Sequence, residues 1–453
     1  MGLFTKAEAS GSQSKLWKLI AVLGISAIVL AGCSASEETS TEATSSEATE
    51  ETVEAEEAPA EIVCEDLEVA AGPAPAQELE LLIGTALPQT GSLAFLGPPE
   101  EAGVALAVRD VNNAAKGVTI DVEYGDSGDN TNLAWENEIP RLLNLGVKAI
   151  LGAASSGVSL RFIDQVVGAG VIQFSPANTS AAFTTYDDNG LYFRTAPSDV
   201  LQGEVLGNLL AEDGNQTAGM IVLNDPYGTG LADFTKEAFE AAGGTVVASE
   251  TYNDGDTNFT SQISTVLAAN PDAIVLITFE EVKTILPELL GQFPADKLYF
   301  VDGNLANFGE ELPAGSLTGA KGTYPGLNPE EIAEFTGRMG ACWEEAGEEP
   351  LSEILYGAES YDAVVLLALG ALAAGSVEGV DIAAKLQEVS GGSGDGTKCY
   401  TFGECADIIN GGGVADYDGP SGPITFNDVG DPTDGAMGVY IYGDDNTYSP
   451  YAG

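Results

Sequence analysis

Apolar and polar residues alternate along most of the chain in a pattern typical of short β-strands separated by amphipathic helices. Ala102, Leu106 and Val111, for example, fall on one face of a predicted helix. Nine apolar runs have the composition of strands: 79–87, 118–124, 148–154, 171–175, 191–195, 218–223, 245–252, 273–279 and 298–301. Strands that alternate with helices predict parallel sheets. Because nine strands exceed one ordinary sheet and the strand–helix cycle restarts near Asp199, we predict an α/β fold with two doubly wound parallel-sheet lobes.

The chain is strongly acidic, with 70 Asp and Glu against 16 Lys and Arg and a formal net charge of −54. This balance argues against nucleic acid as a partner, since phosphate binding needs clustered cations, and against electrostatic docking on anionic lipid. The sequence contains no histidine, which excludes His-dependent catalysis and His-ligated zinc or iron sites, and no C-x-x-C pair, which argues against a thiolate zinc site. We therefore expect no metal and no cofactor. A saline habitat is one interpretation of the acidity.

The first 32 residues resemble the signal peptide of a bacterial lipoprotein. Three lysines precede an apolar run at 19–31, which is shorter than the about 20 residues of a membrane span. The run ends in Leu30-Ala31-Gly32-Cys33, which resembles a lipobox. The resemblance implies cleavage before Cys33 and acylation of this cysteine, which anchors the protein on the extracytoplasmic face of the cell membrane. An ordinary cleavage site, or a marginal membrane anchor with a chance cysteine, is the alternative.

Residues 33–78 are predicted to comprise the anchored cysteine and an acidic, disordered tether. The part from 34 to 61 is low-complexity Ser, Thr, Glu and Ala without an aromatic residue. Such a segment buries too little apolar surface to fold, and its charges repel one another. The folded part is therefore expected to begin near Leu79, held away from the membrane.

Turns rich in small hydroxyl residues follow three of the predicted strands. They contain Thr90-Gly91-Ser92, Ser155-Ser156-Gly157 and Ala177-Asn178-Thr179. Open α/β sheets bind ligands outside the carboxyl ends of their strands, and the free N–H groups at helix starts favour an anion. Each turn alone is readily explained as a helix N-cap. Together, they suggest a site for a carboxylate.

The order of these turns and of later motifs resembles the type I periplasmic binding proteins of branched-chain amino acid ABC transporters, the leucine-binding protein family. The motifs are Thr90-Gly91-Ser92, Ala154-Ser155-Ser156, Ser175-Pro176-Ala177-Asn178-Thr179, Phe193-Arg194-Thr195-Ala196-Pro197, Tyr227-Gly228-Thr229-Gly230 and Phe300-Val301-Asp302-Gly303. The similarity covers residues 79–442. It implies one lobe of residues 79–197 and 325–423 and another of residues 198–324 and 424–453, joined by a hinge.

In that family the two lobes close on an α-amino acid, and the resemblance implies a role for eight positions of this chain. The carboxylate of the ligand would meet Ser156, Ala177 and Thr179. Its ammonium would meet the carbonyl of Ala177, the hydroxyl of Thr179 and Asp302, where the family often has the longer Glu. The side chain of the ligand would contact Leu96, Tyr227, Phe279 and Tyr356. A buried zwitterion needs partners at both ends, because an unpaired buried charge is very costly.

Other interpretations of these residues stay open. Asp302 precedes Gly303 and is also typical of a turn, and Tyr227 is also compatible with packing on a lobe surface. Glu280 and Glu281 belong either to the first turn of a helix or to a contact with a cationic ligand side chain.

Four cysteines remain if Cys33 is acylated, an even number in an oxidising compartment. Cys399 and Cys405 are close enough in sequence to form a small disulfide loop. Cys64 and Cys342 would then pair by elimination, although sequence alone does not give connectivity.

The expected function is the capture of an amino acid, with Leu, Ile and Val foremost, and its delivery by a monomeric protein to an ABC permease complex. The chain contains no Walker A motif, so the energy for transport would come from a separate ATPase. One alternative is a ligand sensor for a receptor kinase, and another is a binding protein for urea or short amides. A third is an extracytoplasmic enzyme, for which no carboxylate pair or Ser-Lys dyad follows the predicted strands. We expect no enzymatic activity.

Overall fold

The computed structural model describes residues 63–451, so the predicted signal peptide, Cys33 and the low-complexity part of the tether lie outside the described residues. The helices are α1 (Gly97–Ala114), α2 (Trp135–Leu145), α3 (Ser156–Gly168), α4 (Asp199–Glu212), α5 (Pro226–Ala241), α6 (Thr260–Ala268), α7 (Val282–Leu289), α8 (Ala333–Glu345), α9 (Gly357–Ala374), α10 (Gly379–Val389) and α11 (Phe402–Asn410). The strands are β1 (Leu79–Ala86), β2 (Val118–Glu123), β3 (Ala149–Gly152), β4 (Ile172–Ser175), β5 (Tyr192–Arg194), β6 (Thr217–Leu223), β7 (Thr245–Tyr252), β8 (Ala273–Ile277), β9 (Leu298–Phe300), β10 (Lys321–Pro325), β11 (Thr397–Cys399), β12 (Ala415–Gly419), β13 (Gly422–Pro423), β14 (Met437–Tyr442) and β15 (Tyr448–Pro450).

The first sheet consists of parallel strands in the order β2-β1-β3-β4-β5. Helices α1 and α9 cover one of its faces, where Ile83, Leu151 and Phe174 are fully buried. Helices α2 and α3 cover the other face, against Ile150. Burial on both faces explains why the central strand β3 is apolar along its whole length, whereas the edge strand β2 alternates between buried apolar and exposed polar residues.

The second sheet has the strand order β15-β14-β10-β9-β8-β6-β7. Its strands from β7 to β10 are parallel, whereas β14 runs antiparallel to β10 and β15 antiparallel to β14. All nine strands expected from the sequence are present, which confirms the α/β fold with two parallel sheets. The sequence does not predict β10, β14 and β15, which make this sheet mixed at one side.

The chain passes from one sheet to the other after β5, after β10 and after β13. We call the first sheet with α1–α3, α8–α11 and β11–β13 lobe 1, and the second sheet with α4–α7 lobe 2. The expected lobe limits at residues 197, 324 and 423 lie beside these three crossover segments, and as limits of independent lobes they stay a prediction.

Residues 63–78 lie along lobe 1, so the expectation of a disordered tether up to residue 78 is wrong for this segment. Asp66 Oδ1 accepts a hydrogen bond from Arg109 Nε at 2.8 Å, and the carbonyl of Ala70 accepts one from Lys116 Nζ at 2.8 Å. Acidic and backbone oxygens of the segment therefore meet two of the scarce cations of the chain. These partners lie far away in sequence, and for this reason local composition does not reveal them.

Both disulfides expected from the sequence are present. Cys64 is joined to Cys342 on α8, and Cys399 to Cys405 on α11. The first bond ties the segment 63–78 to lobe 1, and the second closes a small loop beside the three-stranded sheet β11-β12-β13.

Among the described residues, α9 is the helix that is long and apolar enough to cross a membrane. Of the residues of α9, 89% are buried inside the protein, mainly against α1 and α10. The apolar composition of α9 therefore reflects its position in the core of lobe 1.

Candidate functional site

The lobe 1 side of the site begins in the turn after β3. Ser155 is the N-cap of α3, and its hydroxyl accepts a hydrogen bond from Val158 N at 3.3 Å, so the capping interpretation is right for this residue. The next residue, Ser156, directs its hydroxyl toward the neighbouring turn and accepts a hydrogen bond from Ser180 N at 3.2 Å. Ser156 is therefore held between two turns at the carboxyl edge of the first sheet.

The turn after β4 is ordered by Ser175 and Arg194. Ser175 Oγ accepts a hydrogen bond from Asn178 N at 2.9 Å, and the fully buried Arg194 donates from Nη1 to the carbonyl of Asn178 at 3.2 Å. These bonds fix the backbone that presents Ala177 and Thr179 to the cleft. The turn forms here because a serine hydroxyl readily accepts hydrogen bonds from the backbone N–H groups that follow it in the chain.

The lobe 2 side is built from the ends of β6, β8 and β9. Asp302 follows β9, and its Oδ1 accepts a hydrogen bond of 2.7 Å from the hydroxyl of Tyr227 in the first turn of α5. The same hydroxyl accepts a hydrogen bond from Gly303 N at 3.2 Å. Phe279, after β8, stacks on Tyr227 with ring centroids 5.3 Å apart. Asp302 is therefore built into a network and is more than a turn residue, and Tyr227 faces the cleft.

Tyr356 joins the two sides, because its hydroxyl donates a 2.8 Å hydrogen bond to Asp302 Oδ2. One cavity lies between the lobes at this point. All eight residues singled out from the sequence line it: Leu96, Ser156, Ala177, Thr179, Tyr227, Phe279, Asp302 and Tyr356. Its volume is about 10 Å³, which is roughly the room that one water molecule needs. The structure thus brings the eight residues together, and their contacts with a ligand stay a prediction.

The cavity is acidic. Asp302 is 4% exposed, and burial raises the pKa of its carboxyl, while the hydroxyls of Tyr227 and Tyr356 act in the opposite direction. Among the described residues that line this cavity there is no Lys or Arg. A charged Asp302 therefore has neutral partners, namely hydroxyl groups, the side chain of Gln202 and the backbone of Gly303, an arrangement that favours a ligand with a positive charge.

Asp199 is a candidate functional residue that the sequence analysis misses. It is fully buried, its N–H donates to the carbonyl of Thr179 at 2.7 Å, and the hydroxyl of Thr179 is the side-chain donor that acts on its carboxylate. Burial, followed by the nearby charge of Asp302, raises the pKa of Asp199 well above its usual value. In the sequence Asp199 follows the cap residue Ser198 and is indistinguishable from an ordinary acidic residue in the first turn of a helix.

Glu280 and Glu281 do not line the cavity. The side chain of Glu280 is 53% exposed and its Oε1 lies 3.4 Å from Lys283 Nζ. Glu281 accepts hydrogen bonds from the hydroxyl of Tyr252 and from Phe279 N, both at 3.1 Å. Of the two interpretations of this pair, the structure favours the start of a helix over contact with a ligand.

Within residues 63–451 there is no cluster of three or more Cys, Asp and Glu residues suited to hold a metal ion. The chemistry of the site is therefore that of hydroxyl, backbone and carboxylate groups around an apolar space. Such a site can bind a small molecule with separated charges, since it offers donors at one end and acceptors at the other.

A model of the periplasmic binding protein family matches residues 80–404, which is most of the folded chain. The chain belongs to this family, in its type I branch. The resemblance inferred from the sequence motifs is thereby confirmed. Periplasmic binding proteins bind solutes without transforming them, so this protein is a binder and not an enzyme.

Two relatives and one solved structure illustrate the similarity. The Leu/Ile/Val-binding protein homolog 1 of Brucella suis biovar 1 is 29% identical over 321 residues, which cover 68% of this chain and 82% of the relative. The chemotactic signal transduction system substrate-binding protein BasB of Halobacterium salinarum is 25% identical over 366 residues, covering 78% of this chain and 85% of BasB. The crystal structure of the branched-chain amino acid transporter substrate binding protein LivJ from Streptococcus pneumoniae, in complex with isoleucine, shares the fold with a TM-score of 0.64 at 22% identity, covering 82% of this chain and 99% of LivJ.

Proposed function

We propose that this periplasmic binding protein captures a branched-chain amino acid outside the cytoplasm and delivers it to an ABC importer. The observation that carries the proposal is the arrangement, around one cavity, of the buried Asp302 carboxylate and the hydroxyl-rich turns at Ser156 and Thr179. This arrangement suits the two opposite charges of an amino acid, since each end exchanges water for protein partners. The relatives named for Leu, Ile and Val support an aliphatic ligand.

The contacts of the ligand follow from the two sides of the cavity. Its carboxylate binds the hydroxyl of Ser156 and the backbone N–H groups of Ala177 and Thr179. Its ammonium binds the carbonyl of Ala177, the hydroxyl of Thr179 and Asp302. The remaining lining is apolar or aromatic and receives the ligand side chain, through Leu96, Tyr227, Phe279 and Tyr356.

The charge of the site separates this proposal from the urea alternative. Asp199 and Asp302 are both buried. The charge of Asp302 raises the pKa of Asp199, and the charges of both acids raise the pKa of Tyr227. A cationic ammonium relieves the repulsion between them, whereas neutral urea or a short amide does not. An acidic amino acid is disfavoured as well, because its side chain would enter a cavity lined by apolar and aromatic groups.

Binding requires the lobes to part and close again. A cavity of about 10 Å³ does not admit an amino acid, and Tyr356 of lobe 1 is bonded to Asp302 of lobe 2 across the cleft. An open state therefore has to admit the ligand, and the ligand then shifts the population toward a closed state. The closed state is the form that docks on the permease, and a monomer suffices for this task.

The proposal includes attachment to the membrane through an acylated Cys33. The basic segment, the short apolar run and the lipobox support it. Two disulfides suit the oxidising surroundings of an extracytoplasmic protein.

A sensor is the second candidate, and the similarity to BasB of a chemotactic signal transduction system favours it. The two functions share the cavity and differ in the protein that recognises the closed form. A deletion strain separates them: loss of uptake of labelled isoleucine indicates a transport protein, and loss of chemotaxis toward isoleucine with intact uptake indicates a sensor.

The test of the ligand is isothermal titration calorimetry on the purified full-length chain with leucine, isoleucine, valine, glutamate, urea and acetamide. We expect saturable binding of at least one aliphatic amino acid and no heat of binding for glutamate, urea or acetamide. Binding of urea or acetamide with no aliphatic amino acid bound would refute the proposal.

A further inference from the structure

Helix α3 of lobe 1 and helix α5 of lobe 2 approach one another with their first turns beside the cleft cavity. Gly157 lies in the first turn of α3, directly after Ser156 of the site, and Asp225 is the N-cap of α5, two residues before Tyr227. A Cβ added to Gly157 would stand 2.8 Å from Asp225 Oδ2 and 3.6 Å from Asp225 Cβ. The absence of a side chain at position 157 therefore permits this close approach of the two lobes.

The two carboxylate oxygens of Asp225 have different surroundings. Oδ1 accepts a hydrogen bond of 2.7 Å from Gly228 N and thereby caps α5. Oδ2 lies against Gly157, is buried, and receives no hydrogen bond within residues 63–451. When the lobes are apart, water solvates this oxygen. The cost of leaving Oδ2 without a donor therefore arises when the lobes close.

The groups around Asp225 do not replace this water. Asn130 of lobe 1 places Nδ2 3.3 Å from the same added Cβ, but it donates no hydrogen bond to Asp225 Oδ2. Burial raises the pKa of Asp225 to about 7, and the charges of Asp254 and Glu281 act in the same direction. Arg161 lines the adjoining cavity of about 460 Å³, but it is exposed, so water screens its charge.

We propose that Asp225 opposes closure of the lobes and thereby limits how tightly the ligand is held. The inference rests on the proposed function, since it concerns the closed complex. Asp225 is absent from the lining of the cleft cavity, so it is a positioning residue that acts on closure without touching the ligand. Part of the free energy of ligand binding offsets the loss of water from Oδ2. A closed form that carries this cost opens more readily, which suits a protein that has to release its ligand.

Replacing Asp225 by Ser separates the roles of the two oxygens, because a serine hydroxyl still caps α5 and places no oxygen against Gly157. We expect the amino acid that binds best to wild type to bind about tenfold more tightly to Asp225→Ser, mainly through slower dissociation in stopped-flow experiments. A mere loss of negative charge near the site predicts the opposite sign, since it attracts the ammonium of the ligand less. The control Asp233→Ser, at an exposed position of α5, keeps the wild-type affinity. Unchanged or weaker binding by Asp225→Ser overturns the proposal.

Replacing Gly157 by Ala tests the same contact from the other lobe. Alanine is favoured in helices, so we expect the fold to be preserved, but its Cβ at 2.8 Å from Asp225 Oδ2 forces the lobes apart. We expect about tenfold weaker binding in the wild-type background and a loss of about threefold or less in the Asp225→Ser background. Gly168→Ala, at the other end of α3 and with no atom within 4 Å of the added Cβ, leaves the affinity unchanged. An equal loss from Gly157→Ala in both backgrounds contradicts the contact.

A cross-link reports the contact without any ligand. The separation of 3.6 Å between the added Cβ and Asp225 Cβ lies within the range found in disulfides. Mild oxidation of Gly157→Cys/Asp225→Cys is therefore expected to consume both added thiols, whereas Gly168→Cys/Asp225→Cys keeps them, which thiol titration measures. Free thiols in the first variant, with and without isoleucine, refute the contact. If the cross-link forms and wild type binds no amino acid, the proposed function fails while the contact between the lobes stands.

Discussion

The hydroxyl of Tyr356 donates a 2.8 Å hydrogen bond across the cleft to Asp302 Oδ2. Tyr227, from the same lobe as Asp302, donates to the other carboxylate oxygen at 2.7 Å. One buried acid is therefore held by both lobes at once. In the proposed complex this acid also binds the ammonium of the ligand, so the same group both recognises the ligand and joins the lobes.

Replacing Asp302 by Asn removes the negative charge and preserves the shape of the side chain. We expect the affinity for the best amino acid to fall about 100-fold, because the ammonium loses its charged partner in a site without solvent. Isothermal titration calorimetry measures the change. The control Glu280→Gln removes an exposed acid of the same lobe and leaves affinity unchanged. Equal affinities of Asp302→Asn and wild type contradict the proposed role of this residue.

Replacing Tyr356 by Phe removes the hydroxyl of the bond across the cleft. Hydrogen bonds to charged groups contribute about 1.5–3 kcal/mol, so we expect ligand affinity to fall about tenfold or more, mainly through faster dissociation. Tyr440→Phe is the matched control, since the buried hydroxyl of Tyr440 makes no hydrogen bond within residues 63–451. Stopped-flow dissociation rates test the difference. If both variants release ligand at the wild-type rate, the bond does not stabilise the closed form.

The strand ends explain why sequence reasoning located much of the site. Ser156 and Ala177 follow strands of the first sheet, and Asp302 follows a strand of the second sheet. Because the carboxyl ends of parallel strands lie at one edge of their sheet, the position after a strand identifies candidate site residues in each lobe. Asp199 escapes the same reasoning because its burial depends on packing between helix α4 and the turn at Thr179.

The segment 63–78 and the mixed part of the second sheet escape prediction for a related reason. Asp66 is fixed by Arg109, and Cys64 by Cys342, so these contacts depend on residues that are far apart in sequence. Strand β14 joins the sheet by pairing with β10 at Gly322 and Tyr440, and nothing in its local composition distinguishes it from an exposed strand. Long-range pairing of this kind needs the tertiary structure to become visible.

Arg194 Nε lies 2.6 Å from Asp431 Oδ1 in a buried ion pair. Replacing Arg194 by Met leaves Asp431 buried without its cationic partner. Breaking one side of a buried ion pair costs about 3–5 kcal/mol of unfolding free energy. We expect a loss of this size in urea unfolding, together with weaker ligand binding, since Arg194 also donates to the carbonyl of Asn178 beside Thr179. The control Arg161→Met, at an exposed position of α3, changes stability by less than about 0.5 kcal/mol. A similar stability for both variants contradicts the assigned role of the buried pair.

Removing the Cys64–Cys342 disulfide has a larger expected effect than removing Cys399–Cys405. The sequence separations are 278 and 6 residues, and a longer closed loop restricts the unfolded chain more strongly. We expect the double variant Cys64→Ser/Cys342→Ser to lose about 4–5 kcal/mol and Cys399→Ser/Cys405→Ser about 2 kcal/mol. Urea unfolding measures both. The reverse order would show that strain or residual structure in the unfolded chain outweighs loop length.

The buried acids of α9 predict that stability declines as pH rises. Burial raises the pKa of Glu359 to about 8 and that of Asp362 to about 7, against ordinary values of 4.5 and 3.8 in the unfolded chain. Between these limits the folded chain retains protons that the unfolded chain has lost. Each group then contributes stability that is complete below its unfolded pKa and is lost as pH rises through its folded pKa, by up to about 1.4 kcal/mol per pH unit.

Urea midpoints between pH 5 and pH 8, measured in choline chloride, should fall less steeply for Glu359→Gln than for wild type, because glutamine does not titrate. Glu349→Gln should follow the wild-type profile, since Glu349 is exposed. Parallel profiles for all three proteins would show that Glu359 ionises as freely in the folded chain as in the unfolded one.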